Sequence, residues 1–333
     1  MSDSSFNTGD GNDIITGNSS DGGYGVTNWG FLDTGGGDDV ITGNQIGEGN
    51  DSINYNSLGL FNGNGSSIEG FMDTGDGNDT ITGISNAFEG VGLRNDDTIN
   101  TGNGNDIITG TGKLYGILNN VTINTGNGAD SLISNGMLSN NYFNGGVFLG
   151  EGNDSIIANA NSNLRNRAIE NFHFIETGDG EDIITSTGFI YNQGVIETGN
   201  GNDSIIVNGS VEGLGTRYGI YNNGGSINTG DGNDSIIANE GFESGPDSSG
   251  AWFLGEGDDY IKGFGSGDFY GGNGNDTLEL TPGSYTVGIW DTSATFTKDG
   301  VGLMITSEFE RLIAGGTIYD FTSLTAGQII VVA

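Results

Sequence analysis

Cysteine is absent from the 333 residues. No disulfide can staple the fold, and no thiolate can serve as nucleophile or metal ligand. Proline occurs twice and there is no Gly-X-Y period, so the 66 glycines do not signal collagen. Basic residues are scarce: 8 Lys and Arg stand against 44 Asp and Glu, a formal charge of −36. So acidic a surface repels phosphate, which argues against nucleic acid and against an anionic membrane as partners. No run approaches 18 apolar residues, so no transmembrane helix and no membrane insertion is expected. The opening Met1 to Phe6 (MSDSSF) has neither the basic start nor the apolar core of a secretory leader.

What is present is a repeat. The phrase T-G-x-G-N-D-x-I recurs at Thr8–Ile15, Thr74–Ile81, Thr101–Ile108, Thr198–Ile205 and Thr229–Ile236, with variants elsewhere. Its copies end on Asp13, Asp39, Asp51, Asp79, Asp106, Asp130, Asp154, Asp182, Asp203, Asp234, Asp259 and Asp276. Aligned on that Asp, the positions four and two before it are always Gly, and the position two after it is always Ile or Leu. The position seven before it is apolar in every copy except that of Asp51, where Asn44 stands. A disordered tract does not hold four positions so tightly. Two glycines at spacing two suit a tight turn with positive φ. The flanking apolar residues anchor the strands that enter and leave it.

Most copies are 21 to 31 residues apart, a solenoid period. A looser phrase lies between turns, as in Leu114–Ile123, Phe189–Ile196 and Tyr218–Ile227. The spacing predicts three short strands per coil: one after the Asp turn, one around Tyr-Gly-Ile, and one before the next turn. The interval from Asp39 to Asp51 is too short for a coil and suggests a motif on the opposite edge, as does the Asp97/Asp106 pair. Repeated Asn residues are expected to stack through side-chain hydrogen bonds. After Asp276 no Asn occurs, and strand-like runs follow at Ser284–Trp290, Ala294–Thr297, Gly302–Thr306 and Gln328–Ala333. The expected fold is all-β: a parallel β-solenoid (β-roll or three-sided β-helix) over 1–276 and a C-terminal β cap over 277–333.

Stacked turns place carboxylates and carbonyls about 4.8 Å apart from coil to coil. These are hard oxygen donors, and calcium takes six to eight of them. A Ca2+ ion between two turns could take a carboxylate from each and carbonyls from turn glycines such as Gly11, Gly37, Gly77, Gly104, Gly201, Gly232, Gly257, Gly272 and Gly274. Magnesium keeps its waters, and zinc or iron sites usually need His or Cys. Unneutralised, the aspartates would repel one another. Turn capping alone does not explain them: Asn often precedes the Asp yet never replaces it.

At these residues the chain resembles the RTX family of glycine- and aspartate-rich nonapeptide repeats, G-G-x-G-x-D-x-U-x with U a large apolar residue. Gly271–Glu279 (GGNGNDTLE) matches in full; most other copies carry Thr or Leu at the first position, as at Thr229 or Leu254. The resemblance covers about 270 residues. It implies a parallel β-roll, calcium between stacked turns, folding on calcium outside the cell, and type I export through an uncleaved C-terminal signal. Phe309–Phe321 and the apolar tail to Ala333 look like the ends of such bacterial, often cyanobacterial, proteins. Family rolls carry a motif every nine residues on both edges. The longer period here implies a wider coil with calcium along mainly one edge.

No enzyme is expected. The H-E-x-x-H and G-x-S-x-G phrases are missing in any suitable context, and His173 is the one histidine. Arg165, Arg167 and Glu170 form the single basic and acidic cluster of the repeats, the best place for a polysaccharide-cleaving site. The leading expectation is a secreted, calcium-binding structural or surface protein, with end-to-end self-association or cell-surface polysaccharide as its contacts. Tyr115, Tyr191, Tyr218 and Tyr221 could form a sugar ladder. The turn threonines (Thr8, Thr34, Thr74, Thr101, Thr125, Thr177, Thr198 and Thr229) could form an ice-binding row.

Overall fold

The computed structural model describes residues 5–20, 23–46, 57–63, 70–141, 145–160, 166–209, 218–245 and 250–333. Among them there are strands, turns and one 3-10 turn, Phe321–Ser323, and no α-helix. Contacts divide the chain into two compact units, 1–178 and 179–333.

In the first unit coils run as incoming, outgoing and return segments, as the spacing predicts, the last two being continuous in Ile107–Asn119 and Ser131–Asn140. Incoming strands precede the Asp turn: Ser5–Asn7, Phe31–Asp33, Phe71–Asp73, Thr98–Asn100, Thr122–Asn124, Gly146–Phe148 and Phe174–Glu176. They pair in parallel and in register, Leu32 beside Met72 beside Ile99 beside Ile123. Outgoing strands follow the turn, Ile14–Ser19 on Val40–Gln45 on Thr80–Ser85 on the start of Ile107–Asn119. Return strands Tyr24–Asn28, Leu58–Asn62 and Val91–Asn95 stack in the same way.

The core is the stack of residues seven before and two after each Asp. Met72, Ile99, Ile123 and Val147 on the incoming side and Ile81, Ile108, Leu132 and Ile156 on the outgoing side are all fully buried. Return-strand residues such as Leu58, Leu60, Val91 and Leu93 are buried with them, so the core is thin and each coil relies on its neighbours. At its narrow end there is no side chain at all. A Cβ on Gly83 would lie 2.3 Å from the carbonyl oxygen of Gly92, and one on Gly110 would lie 2.1 Å from that of Gly116. Outgoing and return strands therefore touch backbone to backbone.

The corner after the return strand carries an amide column. Asn28, Asn62, Asn95, Asn119, Asn140 and Asn171 are buried, and each Nδ2 donates to the Oδ1 of the next at 2.8–3.0 Å. The same amides donate to backbone carbonyls of the following incoming strand, as Asn95 does to Thr122 at 2.8 Å. A buried amide must be satisfied on all sides, so this column holds register as firmly as the apolar one. Among the described residues this opposite corner bears asparagines, not a second aspartate column.

The second unit repeats the plan. Its outgoing strands run from Ile183–Ser186 through Ser204–Val207, Ser235–Ala238 and Tyr260–Lys262 to Thr277–Leu280, parallel throughout. The stack ends in a change of strand direction. Val301–Ser307 still pairs parallel with Gly267–Asn273, but Ser293–Lys298, Gly283–Trp290 and Ile329–Val332 continue antiparallel. Likewise Arg311–Ala314 pairs parallel with Thr277–Leu280 and antiparallel with Thr317–Asp320. These antiparallel strands are the expected C-terminal β cap.

Candidate metal centre: the aspartate columns

The turn glycines set the site. All nine singled out from the sequence have positive φ, from 101° at Gly272 to 153° at Gly274. A Cβ on Gly104 would stand 1.6 Å from the Gly77 carbonyl oxygen. Only glycine lets the turns stack this closely. The Gly104 N–H donates to the Asn127 carbonyl of the next turn at 2.8 Å, and Gly77 does the same to Asn103.

These stacked turns carry the aspartates as two columns. In the first unit the N–H of Asp13 donates to Oδ1 of Asp39, Asp39 to Asp79, Asp79 to Asp106, Asp106 to Asp130 and Asp130 to Asp154, at 2.7–2.8 Å. In the second, Asp182, Asp203, Asp234, Asp259 and Asp276 are joined the same way at 2.8–2.9 Å. Eleven of the twelve predicted aspartates thus fall into columns. Asp51 lies outside the described residues, and the ladder passes directly from Asp39 to Asp79.

The other oxygen is the chemically informative one. Oδ2 of Asp13, Asp39, Asp79, Asp106, Asp130, Asp203, Asp234, Asp259 and Asp276 is buried and has no hydrogen-bond partner. The turn threonine hydroxyls lie close enough to lower the proton affinity of Asp79, Asp106, Asp130, Asp203 and Asp234, yet each is directed at a carbonyl of the next turn. Thr74 Oγ1 donates to the Thr101 carbonyl at 3.3 Å, Thr101 to Thr125 at 3.2 Å and Thr229 to Leu254 at 2.9 Å. Among the described residues the ion pairs Arg94 with Asp96, Arg167 with Glu170 and Lys262 with Glu279 involve no column aspartate.

Burial without a counter-charge raises proton affinity. It pushes Asp79, Asp203 and Asp259 up to about 6, and Asp106, Asp234 and Asp276 up to about 7, against an ordinary 3.8. Asp130 is raised by the same cause. Neighbouring carboxylates add to it, as Asp130 and Asp79 do at Asp106. Hydrogen bonds from the turn threonine, as from Thr74 to Asp79 and Thr101 to Asp106, and from the backbone N–H of the preceding column Asp work the other way and lose.

Oxygen donors alone, buried unpartnered oxygens and raised proton affinity fit a hard divalent cation. Among the described residues no three carboxylate or imidazole groups converge on one point. A cation here would hold column aspartates of adjacent turns and fill its remaining positions with backbone carbonyls.

Other predicted positions behave differently. The turn threonines from Thr34 to Thr229 are buried and Thr8 is half-buried, so that row presents little surface. Tyr218 is buried and edge-on to Phe189 at 6.1 Å, and Tyr115 packs against Leu58, Val91 and Leu118. Those rings are packing. Arg165 lies outside the described residues; Arg167 pairs with Glu170, whose other oxygen accepts from Ser139 at 3.2 Å. His173 meets Phe174 edge-on at 4.7 Å. No family model matches the chain, and no curated protein matches it.

Proposed function

We propose that this chain is a secreted, calcium-stabilised β-solenoid with a structural or surface role and no enzymatic activity. Calcium would bind along the two columns, with Asp13, Asp39, Asp79, Asp106, Asp130, Asp203, Asp234, Asp259 and Asp276 as carboxylate ligands. The observation that carries this reading is the buried, unpartnered Oδ2 repeated at those nine residues. An ionised oxygen in that setting is costly unless a cation meets it. Cation binding would then be part of the folding free energy, and extracellular calcium would set where the chain folds. The RTX resemblance points the same way. End-to-end association is part of the proposal, supported by Phe6, Ile14 and Trp29, which are 58%, 76% and 60% exposed on the first described coil. Circular dichroism during calcium titration of the metal-free chain tests it, with magnesium as control. A steep coil-to-β transition specific to calcium is expected. A chain folded in chelator with no calcium response would refute it.

One observation favours a second reading, ice binding, on a different row from the turn threonines. The outgoing strands Ile14–Ser19, Val40–Gln45 and Thr80–Ser85 and the segments 107–111, 131–135 and 155–159 contain no charged residue. That is unusual in a chain of net charge −36. Thr16, Thr42, Thr82 and Thr109 form an in-register row on the outer face of this sheet, exposed or half-buried. Thermal hysteresis of the calcium-loaded chain decides: its presence, and its loss in Thr82→Arg, would support this reading, and its absence would dismiss it.

A further inference from the structure

The second column does not end at an aspartate. Each column Asp offers its N–H to the next carboxylate, and at Asp276 the repeats have run out. The acceptor there is Glu310 Oε2, at 2.8 Å. The register is that of a true repeat. In a regular step the residue after the Asp donates its N–H to the previous Asp carbonyl, as Thr277 does to Asp259 at 2.8 Å. Arg311 does this to Asp276 at 2.9 Å. Arg311 and Leu312 lie beside Thr277 and Leu278, and Leu312 is fully buried like Ile236, Ile261 and Leu278 at that place in the coils before it. Glu310-Arg311-Leu312 therefore stands where Asp-x-Ile stands in the coils before it.

A glutamate at this place has a geometric reason. Phe269 pairs with Thr306 and Thr277 with Arg311. Eight positions separate Phe269 from Thr277, and five separate Thr306 from Arg311, so this turn is three residues shorter. The extra methylene of Glu extends the carboxylate by about 1.5 Å from a turn that falls short. Beside it, Asp276 is fully buried and its Oδ2 has no partner.

We propose that Glu310 is the terminal carboxylate of the second column. With Asp276 it completes a last divalent-cation site between the repeats and the C-terminal β cap, so that occupancy fastens the cap strand Arg311–Ala314. This inference rests on the cation reading of the columns, but it can fail alone. The test uses the full chain as wild type, Glu310→Gln, Glu310→Asp and the neighbouring Glu308→Gln. Calcium stoichiometry is read by native mass spectrometry, and amide exchange over 311–314 is read with and without calcium.

Glu310→Gln is expected to bind one calcium fewer and to lose calcium-dependent protection at 311–314, while protection of the earlier repeats persists. Glu310→Asp keeps the charge but shortens the arm, and is expected to lose the same equivalent. Glu308→Gln should match wild type. Wild-type stoichiometry and protection in both Glu310 variants would overturn the inference while leaving the columns intact. A wild-type chain that takes up no calcium would overturn both.

Discussion

Chelating the metal should make the protein's stability run backwards with pH. In the metal-free chain the column carboxylates hold protons more tightly when folded than when unfolded, at about 6 to 7 against 3.8. Below about pH 4 both states are protonated and nothing is lost. As pH rises, the unfolded chain releases its protons first. Folding stability therefore falls until pH passes the folded values, and stays low above them. Each tenfold difference in proton affinity is worth about 1.4 kcal/mol. That makes roughly 3–4 kcal/mol for each of six carboxylates, or about 20 kcal/mol together. Halved for the water that reaches the turns, about 10 kcal/mol remains, comparable to the whole stability of a typical domain.

The assay is far-ultraviolet circular dichroism with thermal melts, in chelator and in millimolar calcium, from pH 4 to pH 8. In chelator, β structure is expected near pH 5 and its loss by pH 7.5. In calcium the order should invert, because protons then compete with the cation and acid releases it. A chelated chain equally folded at pH 5 and pH 7.5 would refute the reasoning, since its ionised columns would then cost nothing.

Asp106→Asn should separate the two effects in one variant: more stable than wild type in chelator at pH 7.5 by a few kcal/mol, and less stable in saturating calcium, by chemical denaturation. Gly104→Ala places a methyl 1.6 Å from the Gly77 carbonyl oxygen, whereas Gly11 has nothing within 4 Å of a built Cβ. Denaturation midpoints should show a loss of at least ~3 kcal/mol for the first and ~1 kcal/mol for Gly11→Ala. Asn95→Leu strands the amides of Asn62 and Asn119 and should cost about 2–4 kcal/mol. Asn18→Leu, in the exposed Asn18–Asn44 pair, should cost about 0.5 kcal/mol by the same measurement.

Much of the fold was legible because the turn imposes one constraint on every coil. Leu32, Met72, Ile99 and Ile123 are buried where the position seven before the Asp predicts, and Ile41, Ile81 and Ile108 where the position two after it predicts. The glycine pairs were not legible as contacts. Gly43 meets Gly59 and Gly83 meets Gly92 across a loop of varying length, and a later coil puts Ser134 at the same place with its Oγ on the Ile117 N–H at 3.0 Å. The Asp51 copy carried its own warning: it alone has a polar residue, Asn44, seven positions before the Asp. Asn44 lies within the outgoing strand Val40–Gln45, in register with Asn18 and Ile84. Glu310 escaped alignment because its shortened turn puts Glu308 where the repeats have glycine.

The amide column shows most clearly why direction matters in such a sequence. Counted forward from the preceding Asp, the column asparagines stand at scattered distances: Asn28 is fifteen beyond Asp13, Asn62 twenty-three beyond Asp39, Asn140 ten beyond Asp130. Counted back from the following Asp, four of the six share one distance, eleven: Asn28, Asn95, Asn119 and Asn171. The cause is mechanical. The incoming strand pairs residue by residue with its copies, as Thr98–Asn100 does with Phe71–Asp73 and Thr122–Asn124, and a residue inserted within it would shift that register. Extra residues are taken outside it, where a longer excursion does not disturb the stack: after the outgoing strand in most coils, and between amide and incoming strand at Asn62, seventeen before Asp79, and Asn140, fourteen before Asp154. Spacing is thus held from the incoming strand to the aspartate turn, and relaxed elsewhere.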